Sequence, residues 1–207
     1  MDSLTGVLIL AGGKSERMIF PKAYLLFDGK TFLKKIVDEY YAAGIKNIYV
    51  VINHEFGKGE WVKHIEELNS RAVIIKNLNP DFGRFHSLKL GLKNMQHLES
   101  CFIQNIDNPF VSAELIESLL EKKNPLGYTS PIYNGRKGHP ILVSKIIMHH
   151  LNGLPDENYN LKNILAPFPK SLAAVDNGSI LININTPDDY TEHIMKKETS
   201  TAGAEAY

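Results

Sequence analysis

Residues 7–22 read Val-Leu-Ile-Leu-Ala-Gly-Gly-Lys-Ser-Glu-Arg-Met-Ile-Phe-Pro-Lys, an apolar run that passes directly into a glycine pair. Such a run is typical of a buried β-strand that ends in a tight turn. The turn leaves backbone N–H groups accessible at the carboxyl end of the strand, because Gly12 and Gly13 carry no side chain. Two cations, Arg17 and Lys22, follow at fixed offsets. The stretch therefore predicts a nucleotide held by its phosphates at the edge of an α/β sheet.

Two established phosphate motifs do not fit this turn. The P-loop ends in Gly-Lys-Ser/Thr at the start of a helix, and the dinucleotide fingerprint needs a third glycine at a fixed spacing. A glycine pair after a strand also occurs in plain turns. We favour the phosphate interpretation over a plain turn because Arg17 and the Pro21-Lys22 pair accompany the glycines.

The composition excludes several classes of protein. The chain has 207 residues, 43% of them hydrophobic and 22% charged, which is typical of one globular domain. Lys plus Arg and Asp plus Glu number 23 each, so no net charge favours nucleic acid or a membrane surface. The sequence has no apolar run as long as a membrane span, its first residues do not resemble a signal peptide, and Cys101 is a single cysteine. We expect a cytoplasmic protein with neither nucleic-acid nor membrane partners.

Strand and helix patterns alternate along the chain. Apolar runs predict strands at 4–10, 47–52, 71–76, 100–106, 126–133, 140–143, 171–176 and 179–184. Amphipathic stretches predict helices at 31–43, 58–68, 84–97, 112–122, 144–152, 160–165 and 187–196. This alternation predicts a doubly wound, three-layer α/β/α fold with a mostly parallel sheet. We expect one domain over 1–197 and a disordered tail over 198–207, where apolar periodicity is absent.

Polar side chains follow two other predicted strands. Asp107 ends the strand at 100–106, and Asn183 and Asn185 alternate with isoleucines, so both asparagines are expected on one face of the last strand. Ligands of open α/β sheets bind outside the carboxyl ends of the strands, which brings these groups to the rim that carries the glycine turn. Asp107 is then the best candidate for a Mg²⁺ ligand, although Asp-x-Pro is also typical of a turn.

Two loops have both a structural and a functional interpretation. Residues 79–87 are consistent with a loop and helix cap, and they also place Gly83 and Ser87 four residues apart. The segment Gly138-His139-Pro140 follows an Asn-Gly pair that is typical of a hairpin turn. The functional interpretation of both loops comes from a family resemblance, and for the second loop we favour it over a plain turn.

These motifs together resemble the MobA-like nucleotidyltransferases, most closely the molybdenum cofactor cytidylyltransferases. The resemblance rests on Leu-Ala-Gly-Gly-x-Ser-x-Arg-Met and Pro-Lys in residues 10–22, on Asp-x-Pro at Asp107, on Gly-His-Pro and on Asn-x-Asn-Thr-Pro. It departs from the family at Ile19, where a glycine is usual. The resemblance implies a Rossmann-like fold of the nucleotide-diphospho-sugar transferase type. It also implies transfer of a nucleoside monophosphate from a nucleoside triphosphate to a phosphorylated small molecule such as molybdopterin cofactor, with release of pyrophosphate.

The resemblance also implies roles for particular residues. The implied catalytic residues are Lys22, Arg17 and Asp107. The implied nucleotide-binding residues are Leu10, Ala11, Gly12, Gly13, Lys14, Gly83 and Ser87. The implied Mg²⁺ ligands are Asp107 and Asn185, and the implied acceptor-binding residues are Gly138, His139 and Pro140.

The motifs are mixed with respect to the nucleobase. Pro-Lys, the Gly83/Ser87 pair and Gly-His-Pro resemble the cytidylyl enzymes, whereas Leu-Ala-Gly-Gly and Asn-x-Asn-Thr-Pro resemble the guanylyl enzymes. We favour CTP and leave GTP open. One alternative is a sugar- or alcohol-phosphate nucleotidyltransferase. Another alternative is an accessory module that binds nucleotide without turnover, which Ile19 and the two asparagines suggest. An assay of pyrophosphate release distinguishes such a module from an enzyme.

Overall fold

A computed structural model describes residues 4–18, 20–157 and 159–196. The departure at Ile19 and the tail predicted at 198–207 lie outside these residues. The main sheet contains β1 (Thr5–Ala11), β4 (Asn47–Asn53), β5 (Val73–Asn77), β6 (Ser100–Asn105), β7 (Tyr128–Tyr133), β8 (Arg136–Lys137), β9 (Ile141–Ser144) and β10 (Lys170–Ala174), and a hairpin contains β2 (Leu26–Phe27) and β3 (Lys30–Thr31). The helices are α1 (Phe32–Ala42), α2 (Val62–Glu66), α3 (Gly83–Leu92), α4 (Ala113–Glu121), α5 (Lys145–Gly153), α6 (Leu161–Leu165) and α7 (Pro187–Tyr190).

The strand order of the main sheet is β10-β7-β9-β6-β1-β4-β5, and β8 pairs with β7. Strands β1, β4, β5 and β6 are parallel, as are β7 and β10, whereas β9 runs antiparallel to both of its neighbours. This mostly parallel sheet confirms the predicted fold class. The chain builds outward from β1 through β4 to β5 and then returns to the other side of β1 with β6. The carboxyl ends of β1 and β6 therefore flank a topological switch point, where ligands of α/β sheets bind.

Strand β1 is buried on both faces, as its continuous apolar run predicts. Val7 and Ile9 belong to a core shared with helices α1, α2 and α4. Leu8 and Leu10 belong to the opposite core, shared with α3, α5 and α6. The sheet is thus covered by helices on both faces, which fixes the end of β1 at the centre of the rim. Within the described residues, no helix combines the length and apolarity that a membrane span needs.

The strand predicted at 179–184 is wrong. Residues Gly178–Leu181 form a 3₁₀ turn, and the following residues lie outside the sheet. The side chain of Asn177 accepts a hydrogen bond from the N–H of Ser179 at 2.9 Å and so caps this turn. A further buried amide, from Asn108, donates to the carbonyl oxygens of Ser179 and Ile182. The backbone acceptors that a neighbouring strand would need are therefore already occupied by a side chain.

Candidate active site

Two adjoining cavities lie at the switch point. The first cavity has a volume of about 470 Å³ and is lined by the loop after β1, by Lys22, by the start of α3, by Asp107 and by Asn185. The second cavity has a volume of about 790 Å³ and extends under β6, β7 and β9 towards α6. Leu10 and Arg84 line both cavities. The end of β1 and the start of α3 therefore form the boundary between them.

The two glycines of the loop serve different purposes. A Cβ atom on Gly12 would lie 2.6 Å from Ser87 Oγ, so a larger residue at this position would require the loop or Ser87 to shift. A Cβ on Gly13 would have no neighbour within 4 Å, and Gly13 faces the first cavity. Ser87 Oγ accepts a hydrogen bond from Asn77 Nδ2 at 3.1 Å, which leaves its own hydroxyl proton to donate elsewhere. Gly12 thus allows the loop to lie close to Ser87, and Gly13 leaves room for a ligand.

Two cations of the loop converge on one amide oxygen. Lys22 Nζ donates to Asn185 Oδ1 at 2.8 Å, and Arg17 lies 3.5 Å from the same atom. The N–H of Lys22 also donates to Ser15 Oγ at 3.2 Å, which ties the end of the loop to its middle. Burial lowers the pKa of Lys22, and Arg17 and Arg84 lower it further, against the opposing charge of Asp107. Among the described residues Lys22 is thus a partly desolvated cation without a carboxylate in direct contact, as expected of a group that binds an anion.

Lys14 points across the mouth of the first cavity. Its ammonium group forms an ion pair with Asp81, in the turn that precedes α3, and lies 3.8 Å from Glu16. The contact with Asp81 raises the pKa of Lys14 above its usual value. A loop residue predicted to bind nucleotide is therefore held by a carboxylate that the sequence interpretation did not single out.

Asp107 lines the first cavity and is only 7% exposed. Its Oδ2 atom lies 3.4 Å from an Arg84 nitrogen, whereas its buried Oδ1 atom has no hydrogen-bond partner within the described residues. A buried carboxylate oxygen without a partner is costly, which points to a ligand that the protein itself does not supply. In the part of the chain that the structure describes, no group of three or more His, Cys, Asp or Glu side chains is placed to hold a metal ion.

The second cavity has an apolar floor and a polar wall. Its floor is formed by side chains of three neighbouring strands, Leu10 of β1, Ile103 of β6 and Ile141 of β9. His139 lines the wall, and its Nδ1 atom is buried without a partner among the described residues. Burial lowers the pKa of His139, and Asp107 only partly opposes this effect, so the imidazole is neutral at pH 7.

The structure brings most of the predicted site residues together. The first cavity is lined by Leu10, Ala11, Gly12, Gly13, Lys14, Arg17, Lys22, Gly83, Ser87, Asp107 and Asn185. Gly138 and His139 line the second cavity instead, and Pro140 is buried behind them. Asn183 is exposed and does not line the first cavity, so the expectation that both asparagines approach the same site is wrong. Arg84 was not singled out, although it stands between the two predicted residues Gly83 and Ser87.

Comparisons with known proteins agree with this geometry. The MobA-like NTP transferase domain matches residues 7–175. The molybdenum cofactor cytidylyltransferase of Escherichia coli (strain K12) is 31% identical over 141 residues, which are 65% of this chain and 70% of that protein. The probable molybdenum cofactor guanylyltransferase of Bacillus cytotoxicus is 28% identical over 209 residues, 96% of this chain and 100% of that protein.

Solved structures share the fold. Rv0371c from Mycobacterium tuberculosis H37Rv superposes with a TM-score of 0.76 at 21% identity, covering 91% of this chain and 96% of that one. A complex of Rv0371c with manganese superposes with a TM-score of 0.70 at 16% identity, covering 94% and 100% of the two chains. At these identities the likeness shows the fold alone.

Proposed function

The chain belongs to the MobA-like NTP transferase domain family and is a nucleotidyltransferase, and we propose that it transfers a nucleoside monophosphate from CTP to a phosphorylated small molecule. The phosphate oxygen of the acceptor attacks the α-phosphorus in line, and the bond to the leaving pyrophosphate breaks. The observation that carries the proposal is the position of Asp107. Asp107 lines the cavity that holds the glycine loop and the cations, its Oδ1 atom has no hydrogen-bond partner among the described residues, and its charge acts on His139, which lines the second, larger cavity.

The donor set fits a magnesium ion. Mg²⁺ prefers oxygen ligands and is usually held by one or two carboxylates together with substrate phosphates. The buried Oδ1 atom of Asp107 has no partner among the described residues, and Asn185 supplies an amide oxygen in the same cavity. We propose that Asp107 and Asn185 hold the ion. When bound, it neutralises charge on the phosphates and on the leaving group.

The other residues of the first cavity bind and orient the triphosphate. Lys22, released from Asn185, would contact the α-phosphate. Arg17 and the N–H groups of residues 12–14 would hold the β- and γ-phosphates. The reaction needs no general base, because a phosphate monoester is already an anion at pH 7. Catalysis then rests on positioning and on charge neutralisation.

The second cavity supports a bulky acceptor. Its volume of about 790 Å³ and its floor of leucine and isoleucine side chains suit a ring system better than a small polyol. Its wall also carries polar side chains, among them Asn105 and Asn160, that could pair with hydroxyl groups or with ring heteroatoms, so the apolar floor is what favours a ring system. Molybdopterin cofactor, which the names of the Escherichia coli and Bacillus cytotoxicus relatives suggest, is therefore favoured over a sugar phosphate.

Pyrophosphate release tests the proposal. The protein is assayed with Mg²⁺, molybdopterin cofactor and each of CTP, GTP, UTP and ATP. We expect release with CTP, and release with GTP alone would reverse the nucleobase assignment. Asp107→Asn should lose about 10²-fold or more of the turnover, because it removes a preorganised charge, whereas the exposed Asp176→Asn should not. A wild-type protein that binds nucleotide but releases no pyrophosphate with any acceptor would be an accessory module.

A further inference from the structure

Three lysines gather at the mouth of the second cavity. Lys137 on β8 and Lys162 on α6 both line the cavity, and Lys170 at the start of β10 lies beside Lys137. All three are exposed. In the described part of the chain, no ion pair joins any of them to a carboxylate, whereas Lys30, Lys35 and Lys145 each have an acidic partner.

This arrangement is unfavourable without an anion between the lysines. The contact with Lys170 lowers the pKa of Lys137, and the charge of Lys162 lowers it further. Like charges held close together repel, and an anion bound between them removes that repulsion. The lysines come from three separate elements, so their convergence is a property of the fold and not of a single basic stretch of sequence.

The lysines lie apart from the position of phosphate transfer. Strand β10 pairs with one edge of β7 along residues 128–132. Strands β8 and β9 both pair with the opposite edge of β7, so β8 lies in line with β9. That places Lys137 two strand positions from β1, a backbone separation of about 10 Å. The apolar floor of Leu10, Ile103 and Ile141 crosses the same interval. The cavity thus has Arg84, which contacts Asp107, at one end, an apolar floor, and a cationic mouth at the other end.

We propose that the acceptor carries a second anionic group, separated from its reacting phosphate by a flat ring system whose face packs on the apolar floor, and that Lys137 and Lys162 bind this group. The inference rests on the proposed function, since it takes the second cavity as the acceptor site. It adds that the mouth lysines select acceptors with this second anionic group over acceptors with a phosphate alone.

A matched pair of probes tests the inference without knowledge of the natural acceptor. The probes are 2-naphthyl phosphate and its 6-carboxy analogue, which differ only in a carboxylate at the far end of the ring. Binding to the full chain is followed by naphthyl fluorescence at low ionic strength. We expect the carboxylate probe to bind about fivefold more tightly, and added salt should reduce this preference. The double variant Lys137→Gln/Lys162→Gln should bind both probes equally.

The control is Lys63→Gln/Lys93→Gln, which removes the same charge from exposed lysines outside both cavities and should keep the preference. Melting temperatures verify that both double variants fold. Equal binding of the two probes by the wild type, a preference kept by the Lys137/Lys162 variant, or no binding of either probe would each overturn the inference. Nucleotide binding and the effect of Asp107→Asn do not depend on these probes, so failure of the proposed function is recognised separately.

Discussion

The Nδ2 atom of Asn108 donates to the carbonyl oxygen of Ile182 at 2.6 Å, and the same amide reaches Ser179 O at 3.2 Å. Asn108 is fully buried. Next to it, the N–H of Ile184 donates to the carbonyl oxygen of Asp107 at 2.7 Å. Asn108 therefore attaches the segment that carries Asn185 to the loop that carries Asp107. The two candidate metal ligands come from distant parts of the sequence, and this side chain holds their backbones together.

Replacing Asn108 with Asp should loosen this attachment. A carboxylate cannot donate, and it would face two carbonyl oxygens that lose their partner, at a cost of about 1–3 kcal/mol for each unsatisfied group. We expect a lower melting temperature and a higher Mg²⁺ concentration for half-maximal turnover. The control Asn94→Asp removes an exposed amide–carbonyl hydrogen bond of 3.0 Å and should change neither value. An unchanged Mg²⁺ requirement in Asn108→Asp would show that the attachment does not position the metal ligands.

The alkaline pH dependence should report on Lys22. Because burial lowers its pKa below the usual 10.5, Lys22 loses its charge at a lower pH than an ordinary lysine does. The affinity of the free protein for nucleotide should therefore fall as the pH rises towards 10. Lys22→Arg should abolish this fall, because a guanidinium stays charged, and Lys22→Ala should lower kcat/KM by about 10²-fold. The measurement is nucleotide affinity between pH 7.5 and 10, and an identical fall in wild type and Lys22→Arg would assign it to another group.

The placement of the central candidate residues at one cavity could be predicted from sequence because its signals are local. The apolar run of β1 followed by Gly12 indicates the strand, the turn and the accessible backbone within a few residues. Asp107 follows the same logic, since a carboxylate at the end of a buried apolar strand must lie at the rim of the sheet. The family resemblance then added Asn185 and the residues around His139.

The remaining features depend on contacts between distant residues. Hydrophobic periodicity does not encode strand direction, so the antiparallel course of β9 could not be predicted. The apolar run at 179–184 has the pattern of a strand, but the side chain of Asn108 occupies its backbone acceptors. Arg84 and Asp81 could not be identified from sequence, because each belongs to the site through an ion pair with a distant residue. Arg84 contacts Asp107, and Asp81 contacts Lys14.

The glycine pair allows a direct test of the loop. Gly12→Ala would place its Cβ 2.6 Å from Ser87 Oγ, and overpacking of this kind costs about 1–3 kcal/mol. The melting temperature should therefore fall by about 2–4 °C for each kcal/mol lost. Gly13→Ala has open space for the added methyl group and should melt like the wild type, while binding nucleotide more weakly because the methyl group enters the first cavity. Thermal melting measures the effect of each variant on packing, and nucleotide titration measures its effect on binding. An equal loss of stability in the two variants would contradict the different roles assigned to Gly12 and Gly13.

A carboxylate at position 185 should strengthen the site rather than disturb it. Asn185 Oδ1 already accepts from Lys22 at 2.8 Å and lies 3.5 Å from Arg17, so Asn185→Asp would give both cations an ionic partner. The new carboxyl group should then have a pKa below its value in the unfolded chain. The new carboxyl group stabilises the fold at pH values above its pKa in the unfolded chain. This stabilisation is lost as the pH falls through its lower pKa in the folded protein.

At neutral pH Asn185→Asp should therefore be at least as stable as the wild type. It should bind Mg²⁺ more tightly and move the alkaline fall in nucleotide affinity to higher pH, because the new charge raises the pKa of Lys22. Asn183→Asp is the matched control, since it adds the same charge two residues away on an exposed side chain. Melting temperature against Mg²⁺ concentration and nucleotide affinity against pH are measured for both variants. If the two variants respond alike, the side chain of residue 185 does not act on Lys22 or on the metal, and only the general charge of the segment matters.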